Sequence, residues 1–355
     1  MKGKMLFAAV LLAAVFCLPV RAAPADAVRD AIPSEAEELL SGVELEEDLG
    51  DGLWSLAENA LDSLGEGELL ALIRHILAAA VICGAVCALE SAVQSPVLRR
   101  VAEAAGGAAV FLLASGGSES VFAAAERAVR DMTVFSEAYT TVYTAAAAAA
   151  GAPAAAAARK AVAVFATTAF SELSGRVIFP LCGAFALLRT VGLCMEAPLL
   201  SRAAGGLRSL LLNALRLSLS LYAAAITLSG AVGAAGDSLL KRGVKGGVAA
   251  AVPIVGGVLN EACEAIFAGA AVVRNSVGTA GILVLVATAV LPLLRLGLWY
   301  AGMRLAAAVT AIMCPNALAG VTETAAETLG MYFAVLAAMT AAQLIAVFAG
   351  FLSFA

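Results

Sequence analysis

A single histidine, His75, sets the limits of the side-chain chemistry this chain can perform. One imidazole excludes a His-pair zinc motif, and it leaves any nucleophile triad dependent on a residue that sits beside Arg74 where the first long apolar stretch begins. Ser238-Leu239-Leu240-Lys241 has the Ser-x-x-Lys spacing of penicillin-binding enzymes but lacks their companion motifs. No Gly-x-x-x-x-Gly-Lys-Ser/Thr loop is present to cradle phosphates. The seven cysteines are scattered through apolar sequence, with Cys83 and Cys87 on one helix face, and they read as small buried apolar residues. The chain reads as non-enzymatic, with no cofactor and no metal. What remains chemically distinctive is charge inside apolar sequence: Glu90, Glu103, Glu119, Glu172, Arg176, Arg189, Glu196 and Arg216. Such residues mark ion or substrate paths, or structural pairs, because ionised groups are poorly solvated by acyl chains. Glu172 and Arg176, four apart, are spaced to pair on one helix face and read as a structural intramembrane pair.

The elements that must hold these residues are membrane helices. Of 355 residues, 62% are hydrophobic and 14% charged, which leaves too little polar surface for a soluble chain. A net charge of -5 and five lysines give no basic stripe for nucleic acid. Apolar stretches recur from Leu69 to the C-terminus, and about seven or eight spans are expected in an all-α, polytopic domain over 69–355. The clearest are Ile76 to Gln94, Val101 to Phe122, Val134 to Gly151, Val177 to Pro198, Leu210 to Ala231, Val277 to Leu294 and Met331 to Phe351. Ala161 to Gly175 and Leu296 to Cys314 are shorter candidates.

Ahead of the spans, Lys2 and Lys4 precede an apolar run from Met5 to Val20 and small residues around Ala22 to Ala25. That order predicts a secretory signal peptide over 1–25, cleaved after Ala22 or Ala25; an uncleaved anchor is the alternative. Residues 26–68 carry 14 of the 27 acidic residues against one base, Arg29, and are expected outside the cytoplasm as a short amphipathic helical segment. Ser34 and Glu37 have capping-box spacing after Pro33, and Leu53, Leu56, Ala57, Ala60, Leu61 and Leu64 follow helical spacing up to Gly65. About 45 residues cannot bury a core alone, so this segment should pack on the membrane domain or a partner. With that segment outside, Arg99 and Arg100, then Arg159 and Lys160, then Arg202 and Arg208 fall in cytoplasmic loops. Lys241, Arg242 and Lys245 then fall outside unless an intervening segment is re-entrant or lies flat.

The stretch 245–281 is the least regular. Val252-Pro253-Ile254-Val255-Gly256-Gly257 interrupts an apolar segment, Glu261 and Glu264 follow on one side of a helix, and Arg274-Asn275-Ser276-Val277-Gly278-Thr279-Ala280-Gly281 leads into the next span. The pattern reads as a break, an amphipathic helix and a re-entry, a backbone irregularity that membranes tolerate only under protein or beside water. Pro253, Gly256, Gly257, Glu261, Glu264, Arg274, Asn275, Gly278 and Gly281 are therefore the candidate functional residues.

These motifs resemble the stage III sporulation protein AE family of endospore-forming bacteria. The order of leader, acidic segment and multispan body is similar too, although Arg274 stands where the family commonly has lysine and Glu261 and Glu264 where it commonly has aspartate. The resemblance implies a multispan part of the mother-cell complex that meets a forespore protein across the intermembrane space, a channel or specialised secretion apparatus whose ATPase is a separate subunit. Its partners would be the other membrane proteins of that complex and the bilayer, and its N-terminal segment would lie in the intermembrane space. The residues alone leave a second reading open, a stand-alone secondary transporter with its substrate site at the break around Pro253.

Overall fold

Residues 32–40, 49–92, 95–149, 153–251, 256–313 and 317–352 are described in a computed structural model; the leader and Pro253 lie outside these residues, as do the side chains of 230–280. The order is α1 (Ser34–Leu40), α2 (Leu49–Ser63), α3 (Glu66–Ala92), α4 (Pro96–Ala149), α5 (Pro153–Leu173), a π-helical turn (Ser174–Ile178), α6 (Phe179–Cys194), α7 (Pro198–Ala251), α8 (Gly256–Met313) and α9 (Ala317–Leu352). No strand occurs among the described residues, in agreement with the all-α expectation.

Five helical stretches are long and apolar enough to cross a membrane: Gly67–Leu89, Ala156–Cys194, Pro198–Ser229, Gly281–Met313 and Ala317–Val347. The expected segments merge into fewer, longer helices for identifiable reasons. Val101 to Phe122 and Val134 to Gly151 become parts of α4, because residues 123–133 hold alanines and charged helix formers with no glycine or proline to stop the turn. Ala161 to Gly175 and Val177 to Pro198 join through the π-helical turn, which keeps the backbone helical across Gly175. Val277 to Leu294 and Leu296 to Cys314 are one helix despite Pro292, which is buried where neighbours protect the weakened hydrogen bonding. The last span begins at Ala317, fourteen residues ahead of Met331.

The helix pairs α3–α4, α6–α7 and α8–α9 meet at one end of the bundle. There a Cβ on Gly107 would press on Cys194, one on Gly320 would press on Leu193, and Cys87 lies against Met313. The α3–α4, α6–α7 and α8–α9 junctions therefore share that end, here the turn end. The α6–α7 turn is tight: Glu196 is left-handed at φ 51, and the Ala197 amide donates to the Gly192 carbonyl at 2.9 Å, the long bond of a Schellman-type helix stop. α4 is one continuous helix from Pro96 to Ala149, so Arg99 and Arg100 lie near its start and Arg159 and Lys160 lie in α5, beyond its far end. Lys241, Arg242 and Lys245 continue α7 away from the turn end without a re-entrant turn.

α8 and α9 form the centre. Of their most apolar windows 56% and 50% is buried, against 22% for α3 and for α7, which leaves the latter two at the periphery. Around α9 the core is aromatic and aliphatic, with Tyr332 stacked on Phe179 of α6 at 4.6 Å and tilted against Phe122 of α4 at 4.5 Å. α1 and α2 pack on α8: Ala36, Leu39, Leu56 and Ala60 bury against Leu283, Ala287 and Leu291. Asn59 Nδ2 donates to the Leu39 carbonyl at 3.0 Å and ties α2 to α1. α1 starts at Ser34 itself, with the Pro33 carbonyl accepting from the Ala36 and Glu37 amides.

Candidate functional site

Three arginines measure depth in the bundle. Arg176, Arg216 and Arg295 each lie eighteen residues from the turn end of their helices, over 176–194, 198–216 and 295–313, or about 27 Å at ~1.5 Å per residue. That is close to the ~30 Å hydrocarbon thickness of a bilayer. Arg295 Nε pairs with Glu68 Oε1 at 2.8 Å at this level. Between it and the turn end the exposed side chains include Ile73, Leu77, Val81, Leu187, Val191, Leu210, Leu305 and Ile312, and on α7 the exposed leucines continue past Arg216 to Leu228. The layer between these two levels, here the slab, is about as thick as a bilayer's hydrocarbon core, and α4, α5, α7, α8 and α9 extend beyond it on the side that carries α1 and α2.

Against this ruler a group of charges sits in the middle of the slab. Arg208 is ten residues into α7, Arg304 is nine residues before the end of α8, and Glu323 and Glu327 are six and ten residues into α9. Arg208 Nη1 lies 3.5 Å from Glu327 Oε1, and Arg304 Nη1 lies 3.6 Å from Glu323 Oε1. The Tyr300 hydroxyl accepts from Arg304 Nε at 3.3 Å, and the guanidinium carbon stands 5.7 Å from the ring centre. α9 is the floor of a groove whose walls are α7 and α8, with a cleft of about 200 Å³ bounded by Arg208, Leu212, Tyr300, Arg304, Glu327 and Phe333. The Glu327 side chain is 10% exposed, whereas those of Arg208, Arg304 and Glu323 are 43%, 45% and 47% exposed. A charge at this depth facing lipid costs roughly 2.5–3.5 kcal/mol on insertion scales. Arginine cannot escape by reaching for the surface, since nine or ten residues place it about 14 Å from either level.

Helical geometry explains this placement. On α7, Leu210, Leu217, Leu221 and Leu228 recur on one exposed face, and at 100° per residue Arg208 falls on the other side, beside buried Leu211, Leu215 and Ile226. On α9, Glu323 and Glu327 share a face at i, i+4. Close packing holds α8 to its neighbours: a Cβ on Gly330 would stand 2.9 Å from the Tyr300 ring, and one on Gly302 would overlap Leu72.

The residues singled out from sequence lie elsewhere. Pro253 is outside the described residues, and Gly256, Gly257, Glu261, Glu264, Arg274, Asn275 and Gly278 are helical positions of α8. The expected separate amphipathic helix is continuous with the following span from Gly256 to Met313. Positions 274, 278 and 281 recur at i, i+4 and i+7, and Gly281 meets α4, where a Cβ would lie 2.6 Å from Tyr139 Cζ and nearer still to Cε2. Glu172 and Arg176 do pair, through Glu172 Oε2 and Arg176 Nε, at the π-helical turn. They lie on the outer surface, 51% and 80% exposed, at the edge of the slab rather than between helices. Exposed pairs contribute about 0–1 kcal/mol. Glu172→Gln, Arg176→Gln and the apolar double replacement should therefore leave membrane levels within about twofold of the parent on immunoblots. A large loss restored by the double replacement would show the pair to be dehydrated.

Glu323 and Glu327 escape a sequence reading because residues 317–330 look like a polar connection before Met331, Arg304 because it lies in the shorter candidate Leu296 to Cys314, and Arg208 because its neighbours Arg202 and Gly205-Gly206 resemble a loop. The available signal was Thr-Glu-Thr-Ala-Ala-Glu-Thr over 322–328, in which two acids four apart continue the helical register of the following span. Among the described residues, no group of three metal-ligating side chains comes together.

The family described as stage III sporulation protein AE matches residues 62–351, a range that contains the groove and the five candidate spans. Stage III sporulation protein AE of Bacillus subtilis (strain 168) is 23% identical over 224 residues, 63% of this chain, and the matched part spans about 56% of that relative's length. No solved structure matches. With most of its length matched, including every helix that borders the groove, the chain belongs to the stage III sporulation protein AE family.

Proposed function

We propose that the chain is a non-enzymatic, multi-pass component of the mother-cell membrane, built into the channel or secretion-like complex that sustains the forespore. The observation that carries this reading is the family match across residues 62–351. In this reading the complex includes other membrane proteins and a separate ATPase subunit, and energy enters through that subunit. The leader orients the chain: α1, α2 and the helix ends beyond the slab face the intermembrane space, and the turn end faces the mother-cell cytoplasm. Apolar faces on α3 and α7, the two least buried candidate spans, are available to lipid and to neighbouring subunits.

Deletion of the gene tests the proposal. Cells lacking it should complete engulfment and then stop with failing forespores, and the intact gene in trans should restore heat-resistant spores. Normal sporulation in the deletion strain would remove the assignment. The segment before Gly281 gives a finer expectation. Glu261→Gln with Glu264→Gln, and Gly256→Leu separately, should reach the membrane at parental level yet lower spore counts at least tenfold. Parental spore counts with expression confirmed would reduce that segment to a connector.

A further inference from the structure

The charged groove is arranged for water rather than for lipid. Three of its four ionised side chains are nearly half exposed midway through the slab, although the neighbouring outer surface of the same helices, at Leu210 and Leu305, is aliphatic. Both ion pairs, at 3.5 and 3.6 Å, are longer than the ~2.7–2.9 Å of a directly bonded guanidinium and carboxylate. Glu327 Oε2 and Arg208 Nε are buried and make no protein hydrogen bond, so an acceptor and a donor with capacity to spare lie on either side of a cleft of about 200 Å³. At ~30 Å³ per molecule the cleft holds several waters, and buried polar groups of this kind are normally satisfied by water. The charges also form a gradient of depth. Glu323 stands one helical turn nearer the turn end than Glu327 and is far more exposed, while Phe333 and Met331 close the groove on the other side.

We propose that the groove between α7 and α8, floored by α9, is a water-filled vestibule that opens at the turn end and reaches the middle of the membrane, where Glu327 and Phe333 bound its inner end. Small hydrophilic solutes and ions have access to it, and lipid chains do not. The proposal rests on the reading of the chain as part of a channel complex and assigns the conducting face to specific residues. A partner helix laid over the groove is the competing occupant, and the test distinguishes it.

The experiment is cysteine accessibility in membrane vesicles from sporulating cells, with the full complex present and a membrane-impermeant charged methanethiosulfonate as probe. Ala308→Cys, one turn from Arg304 toward the turn end, and Leu212→Cys, in the cleft wall, test the groove. Leu305→Cys and Leu210→Cys test the aliphatic face of the same two helices. Labelling is scored above that of the unsubstituted chain, and spore counts confirm that each variant assembles. The vestibule predicts that the groove cysteines react at least tenfold faster than the aliphatic-face cysteines, and only when the reagent is presented at the turn end. Equal rates at all four positions overturn it. Groove reactivity that arises only after the complex is dissociated in detergent also overturns it, in favour of a covering partner. Either failure leaves the complex assignment intact, because spore formation by the variants is read independently.

Discussion

Arg208→Ala should cut the amount of this protein in membranes several-fold, the larger loss of the two single substitutions in its ion pair. Removing the arginine strands the Glu327 carboxylate, 10% exposed beneath α7 and α8, whereas Glu327→Ala strands a guanidinium that is 43% exposed. Breaking a buried pair by deleting one partner costs about 3–5 kcal/mol, and the figure applies far better to the buried carboxylate than to the half-exposed arginine. Arg208→Leu with Glu327→Leu removes both desolvated charges and should recover most of the protein. Quantitative immunoblots of membrane fractions check the order: double replacement above Glu327→Ala, and Glu327→Ala above Arg208→Ala. Equal losses in both singles with no recovery in the double would mean that the groove depends on these charges for more than the folding of α7 onto α9.

Gly281→Val should be nearly as damaging, for a steric reason. The position faces Tyr139, which is 5% exposed and packed between Phe135 at 6.0 Å and Tyr143 at 5.7 Å, so the ring has little freedom to turn aside. Overpacking of this kind costs about 1–3 kcal/mol and more where backbone must move. It would force α8 away from α4 at the point where α8 leaves the slab. Tyr139→Ala should partly rescue Gly281→Ala, because the truncated side chain vacates the space that the new methyl needs, and a double-mutant cycle on membrane levels measures that coupling. Additive losses would place the contact elsewhere.

Much of this architecture is legible in the sequence, and its limits have physical causes. Apolar length and period identify the helices, and Leu56 and Ala60 on one side of α2 foretell a face that buries, here against Leu283, Ala287 and Leu291. Boundaries fail where a hydropathy reading treats charge as the end of a span. Glu126, Arg127, Arg130 and Asp131 divide two apolar stretches of α4, but alanine-rich, glycine-free sequence keeps the helix intact and carries those charges beyond the slab. The reverse error hides the groove. Glu323 and Glu327 look like a connector, yet α9 holds them inside the slab because Arg208 and Arg304 come to them from two other helices. Arg208 and Glu327 are 119 positions apart, and Arg304 and Glu323 sit on different helices, so neither pairing leaves a local pattern to read. Glu172 and Arg176, by contrast, are local and were foreseen as a pair, while their exposure depended on which side of the π-helical turn faces outward.

The central claim is that this chain acts as a part of an assembly and not alone, and one measurement addresses it most directly. The affinity-tagged full chain is purified from sporulating cells in mild detergent, and its co-purifying proteins are identified by mass spectrometry, in parallel with solute uptake by liposomes that hold the chain alone. The account predicts that several other membrane proteins and an ATPase co-purify in fixed proportion, and that the isolated chain drives no solute accumulation under an imposed ion gradient. A chain recovered without partners that accumulates a solute unaided would contradict it.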